Sequence, residues 1–431
     1  MKRCPIVFFI VVCMFFSVRA VEALNEGKLQ RRGDYLTIKL VEIGVGDEFF
    51  TWWGHLGIIV ENALTGKSLL YDYGVFSFQA EHFYRNLIAG NWYYTMMVRD
   101  ANSDIDWYIQ NNRDITFYTL NLSAKQKEAM VDFLDWNALP ENRRYYYKIF
   151  TDNCVTRVML LLDDILEGRF LERYANETGR ITVRAHANRH LYRSPTLYWL
   201  LNFIMGQNID TPPVKSKEMF LPEEFCRNAA DFWFSNEDGE TVRLVSGVET
   251  VNVSKGRKLP LYNQPRAYIP GAGVGAGIAL LFAFMLLRRF FMPASKSKRR
   301  LLGIAQAFWG LFLGICGTLL FYAAFFSNHI YTYDNINVVF MNPLLLTVVP
   351  FGLASGFAKK QKTIFVCETA LKTVWTYVFL AAGVTILVKV SPEYFQVNYL
   401  TLIMVMPSAF ILSFAGTRLL KLSRPVKNSS Q

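Results

Sequence analysis

Tyr145-Tyr146-Tyr147-Lys148-Ile149-Phe150-Thr151-Asp152-Asn153-Cys154-Val155-Thr156-Arg157-Val158-Met159-Leu160-Leu161-Leu162 runs from an aromatic, strand-like stretch into an apolar helical stripe. Asp152 and Asn153 are N-cap residues, and the stripe from Val155 to Glu167 closes at Gly168. The thiol of Cys154 therefore falls on the first turn of a helix, where the macrodipole and free backbone N–H groups favour thiolate over thiol. Far upstream, Trp52-Trp53-Gly54-His55-Leu56-Gly57-Ile58-Ile59-Val60 sets His55 at the mouth of a β-branched strand. A helix-capped cysteine and a strand histidine are the components of thiol nucleophilic catalysis.

Such a pair needs a third group to fix the imidazole tautomer. Asp72, in Leu70-Tyr71-Asp72-Tyr73-Gly74 on the next strand, and Glu61, at the end of the histidine strand, are the candidates, and Asp72 is the chosen one. Tyr35–Ile43, His55–Val60, Ser68–Phe76, Trp92–Val98 and Ile115–Leu120 read as strands. Ser123-Ala124-Lys125-Gln126 opens a helix to about Asn137 as a capping box, and Pro140 ends it. Helices are also expected over Ile181–Arg193 and Thr196–Met205, with a hairpin around Glu237-Asp238-Gly239. The pattern predicts an α+β domain.

No phosphate-binding Gly-rich loop, Cys-x-x-Cys pair or other cofactor motif accompanies these residues. His186 and His190 have the i,i+4 spacing of zinc ligands, but without the Glu of the metalloprotease motif or a cysteine partner. With Arg184, Arg189 and Arg193 around them, they read as a basic helical face, solvated or drawn to anionic head groups, and no metal is expected.

Hydrophobic residues make up 52% of the 431-residue chain and charged residues 19%, with the apolar excess after Tyr268. That asymmetry describes a membrane protein with a soluble head. Lys2 and Arg3 precede an apolar run and small residues, so 1–23 reads as a secretory signal peptide. Residues 24–268 form the exported domain, 269–417 an all-α domain of five spans, and 418–431 a cytoplasmic tail. The spans lie near Ile269–Phe290, Leu301–Phe326, Leu344–Ala358, Ile364–Val388 and Tyr399–Ala415.

Arg288 to Arg300, Lys359 to Lys362 and Arg418 to Lys427 carry the loop cations on one side, whereas Ser327–Pro343 and Lys389–Asn398 contain only Lys389. The alternation puts the head outside the cytoplasmic membrane. The net charge of +11 thus sets orientation; no nucleic-acid-binding signature accompanies it. Glu368 and Lys372, spaced i,i+4 in the fourth span, are expected to pair on one face. Gly271, Gly273, Gly275 and Gly277 open the first span to close helix approach.

Cys154 and Cys226 are the two cysteines of the exported domain. In an oxidising compartment a Cys154–Cys226 disulfide competes with the catalytic reading.

With histidine before cysteine, the arrangement resembles the permuted papain-like thiol fold, and Asn153-Cys154 is similar to the helix start of the lecithin retinol acyltransferase relatives. The whole chain resembles the Lnb-type bacterial lipoprotein N-acyltransferases. Gly54-His55, Tyr71-Asp72-Tyr73-Gly74, Asn153-Cys154-Val155-Thr156-Arg157 and Asn335-Ile336-Asn337 leading to Asn342-Pro343-Leu344 carry the likeness. The resemblance implies transfer of an acyl chain from a membrane phospholipid to the α-amine of a diacylglyceryl-cysteine on a lipoprotein, through a thioester on Cys154 with His55 as general base. Arg157, Asn153, Asn335 and Asn337 are the candidate substrate-binding residues, Arg157 either steering phosphate or making a structural ion pair. The competing readings are a membrane-anchored papain-like hydrolase of cell-wall peptide or lipid ester, and a non-catalytic membrane assembly protein held by the Cys154–Cys226 bridge.

Overall fold

The structure, a computed structural model, describes residues 31–257, 259–260, 267–291 and 295–414. The expected signal peptide, much of the linker near Arg257–Arg266 and the expected cytoplasmic tail lie outside these residues.

The head contains β1 (Leu36–Ile43), β2 (His55–Asn62), β3 (Lys67–Val75), β4 (Trp92–Asp100), β5 (Ile115–Leu120), β6 (Arg144–Tyr147), β7 (Trp233–Ser235), β8 (Thr241–Arg243) and β9 (Val245–Asn252). Seven strands form one antiparallel sheet in the order β6-β4-β3-β2-β1-β5-β9, and β7–β8 is a separate hairpin. Its helices are α1 (Phe83–Ala89), α2 (Ala101–Gln110), α3 (Ala124–Ala138), α4 (Cys154–Ile165), α5 (Arg169–Tyr174), α6 (Val183–His190), α7 (Pro195–Ile204), α8 (Lys215–Glu218) and α9 (Pro222–Ala230). The capping box forms at α3: Ser123 Oγ accepts from the Gln126 N–H, and Gln126 Oε1 accepts from the Ser123 N–H.

β2 is central and buried on both faces, which is why its sequence is nearly continuous in Leu, Ile and Val. Leu56, Ile58 and Val60 join Val155, Val158, Met159 and Leu162 of α4 in one core. On the other face Ile59 and Leu70 pack with Val41, Ile43, Ile105 and Tyr108. Burying such an aliphatic side chain stabilises the fold by about 1.5–3 kcal/mol. The stripe on α4 thus fixes Cys154 at the edge of the central strands.

The membrane half follows as α10 (Tyr268–Phe291), α11 (Lys296–Phe326), α12 (Val348–Phe357), α13 (Gln361–Leu387) and α14 (Tyr399–Ser413). Among the described residues four segments are long and apolar enough to cross a membrane, and α14 is a shorter apolar helix. The third segment begins at Ile336, and its first turns, Ile336–Val339 and Pro343–Thr347, are 3-10 helix. Of the four glycines opening α10, Gly271 and Gly275 abut Leu400, Ile403 and Met404, whereas Gly273 and Gly277 have open space. Glu368 takes Arg289 of α10, with Nη2 2.6 Å from Oε1, because the guanidinium arrives from a neighbouring helix.

The head is sunk into the spans through α7. Trp199 stacks on Phe312 of α11 with centroids 6.4 Å apart, and Phe203 belongs to the core of the membrane domain.

Candidate active site

Asp72 lies one residue beyond the Ile58–Tyr71 pair, hence opposite Gly57, and His55 is two residues further along the same face. The His55 Nε2–H donates to Asp72 Oδ1 at 2.8 Å, since an ionised carboxylate only accepts. That assigns the proton to Nε2 and leaves the Nδ1 lone pair as the basic site. The Gly74 N–H donates to the same Oδ1 at 2.7 Å, and Arg99 Nη2 donates to Asp72 Oδ2 at 2.6 Å. Gly74 is needed for space: a Cβ there would lie 2.4 Å from His55 Cε1.

Asp72 is buried, which opposes ionisation, but His55, the Gly74 N–H and Arg99 outweigh burial and hold the carboxyl well below the usual carboxylate range. For His55 burial opposes protonation, yet the Asp72 charge and then that of Cys154 raise its pKa well above the ordinary histidine value. Cys154 is therefore close enough to act electrostatically on the imidazole.

Asn153 is the N-cap of α4. Its Oδ1 accepts from the N–H groups of Val155 and Thr156 at 2.9 and 2.8 Å, while Nδ2 donates to the carbonyls of Ile149 and Phe220. Arg157 makes the structural pair: Nε and Nη2 donate to Asp152 at 2.7 and 3.1 Å, with the guanidinium 3.7 Å from the centroid of Tyr145. Asn335 and Asn337 are buried, both donating to the Phe203 carbonyl, at 2.9 and 3.0 Å. Asn335 Oδ1 accepts from Gln396 and Asn337 Oδ1 from Asn398, so the amides join the membrane domain to the end of α7.

Cys154 lines a cavity of about 310 Å³. Phe50, Tyr94 and Phe150 come from the head, Leu201 from α7, and His329 and Tyr331 from the loop after α11. The volume is that of a small-molecule site, walled mainly by apolar side chains. Cys226 is a buried free thiol in α9, packed towards β1, with its pKa pushed up by burial. Cys154 is also free. The expected alternative of a Cys154–Cys226 bridge is not met, because α4 presents its thiol to the cavity and α9 presents the other to the core.

The basic face expected on α6 is instead interior. Arg184, His186, Arg189 and His190 are all buried, since partners for the first three arrive from residues 210–224 and His190 Nδ1 donates to the Trp52 carbonyl at 2.6 Å. Arg184 donates to Asp210, Arg189 to Glu223 at 2.8 Å, and His186 Nε2 to Glu218 at 2.8 Å. His186, Glu223 and Glu224 have ligand atoms within 4.8 Å of one another. Guanidinium groups of Arg180, Arg189 and Arg227 hold the two glutamates, occupying the acceptor sites a cation would need.

Arg99 is not singled out by the sequence, whereas Trp52, Trp53 and Tyr145 to Tyr147 are the aromatics it offers for lining an acyl channel, and of these Trp53 and Tyr147 stand in the cavity wall. The signal for Arg99 was a guanidinium inside a strand that otherwise reads as apolar and aromatic. For the rest of the wall the signal is the polar loop from Asn328, which supplies His329, Tyr331 and Thr332.

The profile of the Lnb N-terminal periplasmic domain matches residues 28–189, and that of the Lnb transmembrane domain matches residues 277–417. No curated protein and no solved structure matches the chain.

Proposed function

The chain belongs to the Lnb-type lipoprotein N-acyltransferases, with a periplasmic head and a multi-span membrane domain, and from that premise we propose that Cys154, His55 and Asp72 carry the acyl transfer. The family implies a role in lipoprotein N-acylation. A permuted papain-like thiol site is the reading of the head that gives these three residues their roles.

The Cys154 thiolate attacks the ester carbonyl of a membrane phospholipid. A bond forms from Sγ to the acyl carbon, and the ester C–O bond breaks as protonated His55 gives its Nδ1 proton to the departing lysophospholipid oxygen. The Asn153 cap takes the N–H groups of Val155 and Thr156, which leaves the Cys154 N–H as the donor for the developing oxyanion. The α-amine of a diacylglyceryl-cysteine then attacks the thioester, His55 accepts the amine proton, and the thiolate is released. Asp72 holds the tautomer and stabilises the imidazolium.

One observation carries this reading: the thiol sits in an apolar cavity built jointly by the head and the membrane domain, where a lipid ester and a lipidated N-terminus can meet. The test is mass spectrometry of the purified chain after incubation with phospholipid and no acceptor. An acyl thioester on Cys154, discharged by a diacylglyceryl-lipopeptide with a free amine, is the expected result. Lipid turnover without discharge to the amine would instead mean a hydrolase.

A further inference from the structure

A track of aromatic rings leads from the cavity wall to α1. Phe50, in the cavity wall, meets Phe76 edge-on at 5.7 Å between centroids, and Phe76 also lies 5.0 Å from Tyr94 of the same wall. Phe76 then stacks with Phe83 of α1 at 6.5 Å. The rings connect the space around Cys154 to a short helix on the outside of the head.

The depth of α1 is set by the membrane domain. Asn328, just past the outer end of α11, donates its N–H to the Ala89 carbonyl at 2.8 Å, and His329 Nε2–H donates to the Leu87 carbonyl at 2.9 Å. Gly90 makes this close approach possible: its φ is +79°, and a Cβ would lie 2.8 Å from the backbone of Asn328 and His329. The last turn of α11 beside this joint exposes Phe325 and Phe326, as a lipid-facing helix end does. Tyr84 and Ile88, four residues apart on one side of α1, are 69% and 58% exposed, and Phe78 next to them is exposed too. Between them Arg85 is exposed and has no ion pair among the described residues. Apolar side chains at the level of a span's outer end, with one unpaired cation among them, match the head-group boundary of a phospholipid leaflet.

We propose that α1 is seated in the outer leaflet of the membrane and, with the Phe83–Phe76–Phe50 track, forms the lateral portal through which the acyl chain of the donor phospholipid reaches Cys154. Tyr84 and Ile88 hold the portal at the acyl-chain boundary, and Arg85 meets the lipid phosphate. The portal role rests on the acyl-transfer reading above; the seating of α1 in lipid does not.

The test uses the full chain in phospholipid vesicles. A photoreactive benzoylphenylalanine replaces Tyr84 or Ile88 in turn, and as a control Leu64, which is 63% exposed in the turn between β2 and β3 at the far end of the sheet. Phospholipid adducts at 84 and 88 but not at 64 are expected. Their absence at 84 and 88 overturns the proposal. In a second arm, the double variant Tyr84→Glu, Ile88→Glu is given bilayer phospholipid or a monomeric dihexanoyl phospholipid without acceptor, and thioester on Cys154 is measured. The bilayer-to-monomer ratio of rates should fall about tenfold. An unchanged ratio overturns the portal, and a defect confined to discharge by the lipopeptide assigns the helix to the acceptor instead. If the unmutated chain forms no thioester with either donor, the acyl-transfer reading and the portal fall together, and the adducts alone still decide whether α1 touches lipid.

Discussion

Among the described residues the head holds two histidine–carboxylate pairs of equal length, the half-buried His55–Asp72 and the buried His186–Glu218, each 2.8 Å from ring nitrogen to oxygen. Their pKa values move in opposite directions. His55 is raised well above the ordinary histidine value, because the charges of Asp72 and Cys154 overcome its burial. His186 is lowered, because burial is joined by Arg189 and Arg180 against the help of Glu218. A hydrogen-bonded carboxylate does not by itself make a histidine a base. The balance of surrounding cations and anions decides.

The sharpest way to break the comparison is to remove the proposed nucleophile. Cys154→Ala should abolish thioester formation, a loss of roughly 10⁴-fold or more, while Cys226→Ser should retain it. Asp72→Asn should lower the rate by about 10²–10⁴-fold with the chain still folded, since an amide no longer enforces the Nε2–H tautomer. All three are read by the mass-spectrometric thioester assay. Glu218→Gln should behave in the opposite manner, costing about 1–3 kcal/mol of stability in a denaturation curve and leaving thioester formation per folded molecule intact.

The smallest effects are in pH. A raised His55 contributes stability below about 6.5, its unfolded value, and loses it as pH rises through the folded pKa, so the thioester rate should also fall on that alkaline side. The second region should fail in acid. Burial holds His190 down to about 4, so stability is lost as pH falls from 6.5 towards that value. Glu218, lowered to about 2 against its burial by His186 and the N–H groups of Arg180 and Ile181, loses its contribution from 4.5 downward. His190→Gln should flatten the first of these acid limbs in a thermal melt.

The geometry of the candidate site was legible because its elements are local. Asn153-Cys154 is a cap followed by a stripe, and His55 and Asp72 sit on consecutive β-branched strands whose pairing the short turn at Thr65-Gly66 dictates. The polar region was misread for the converse reason. Arg184, His186 and Arg189 look like a surface until Asp210, Glu218 and Glu223 return to cover them, and that return is not written in the helix itself. β9 escaped notice because it is an edge strand with Ser246, Gly247, Glu249 and Thr250 exposed, and so lacks the hydrophobic alternation that marks its neighbours. The cavity was least legible, since its walls come from Phe49 through Thr332.

That last feature has a consequence for biosynthesis. His329, Tyr331 and Thr332 close the wall around Cys154, and Asn335, Asn337 and Gln396 clamp α7 against the spans. All of them leave the ribosome after α11. All seven strands of the sheet, by contrast, precede the first span in the chain. The pocket gains its full set of walls only when the remaining spans have been inserted, so the order of synthesis itself delays the assembled site around Cys154 until the protein is anchored in the membrane.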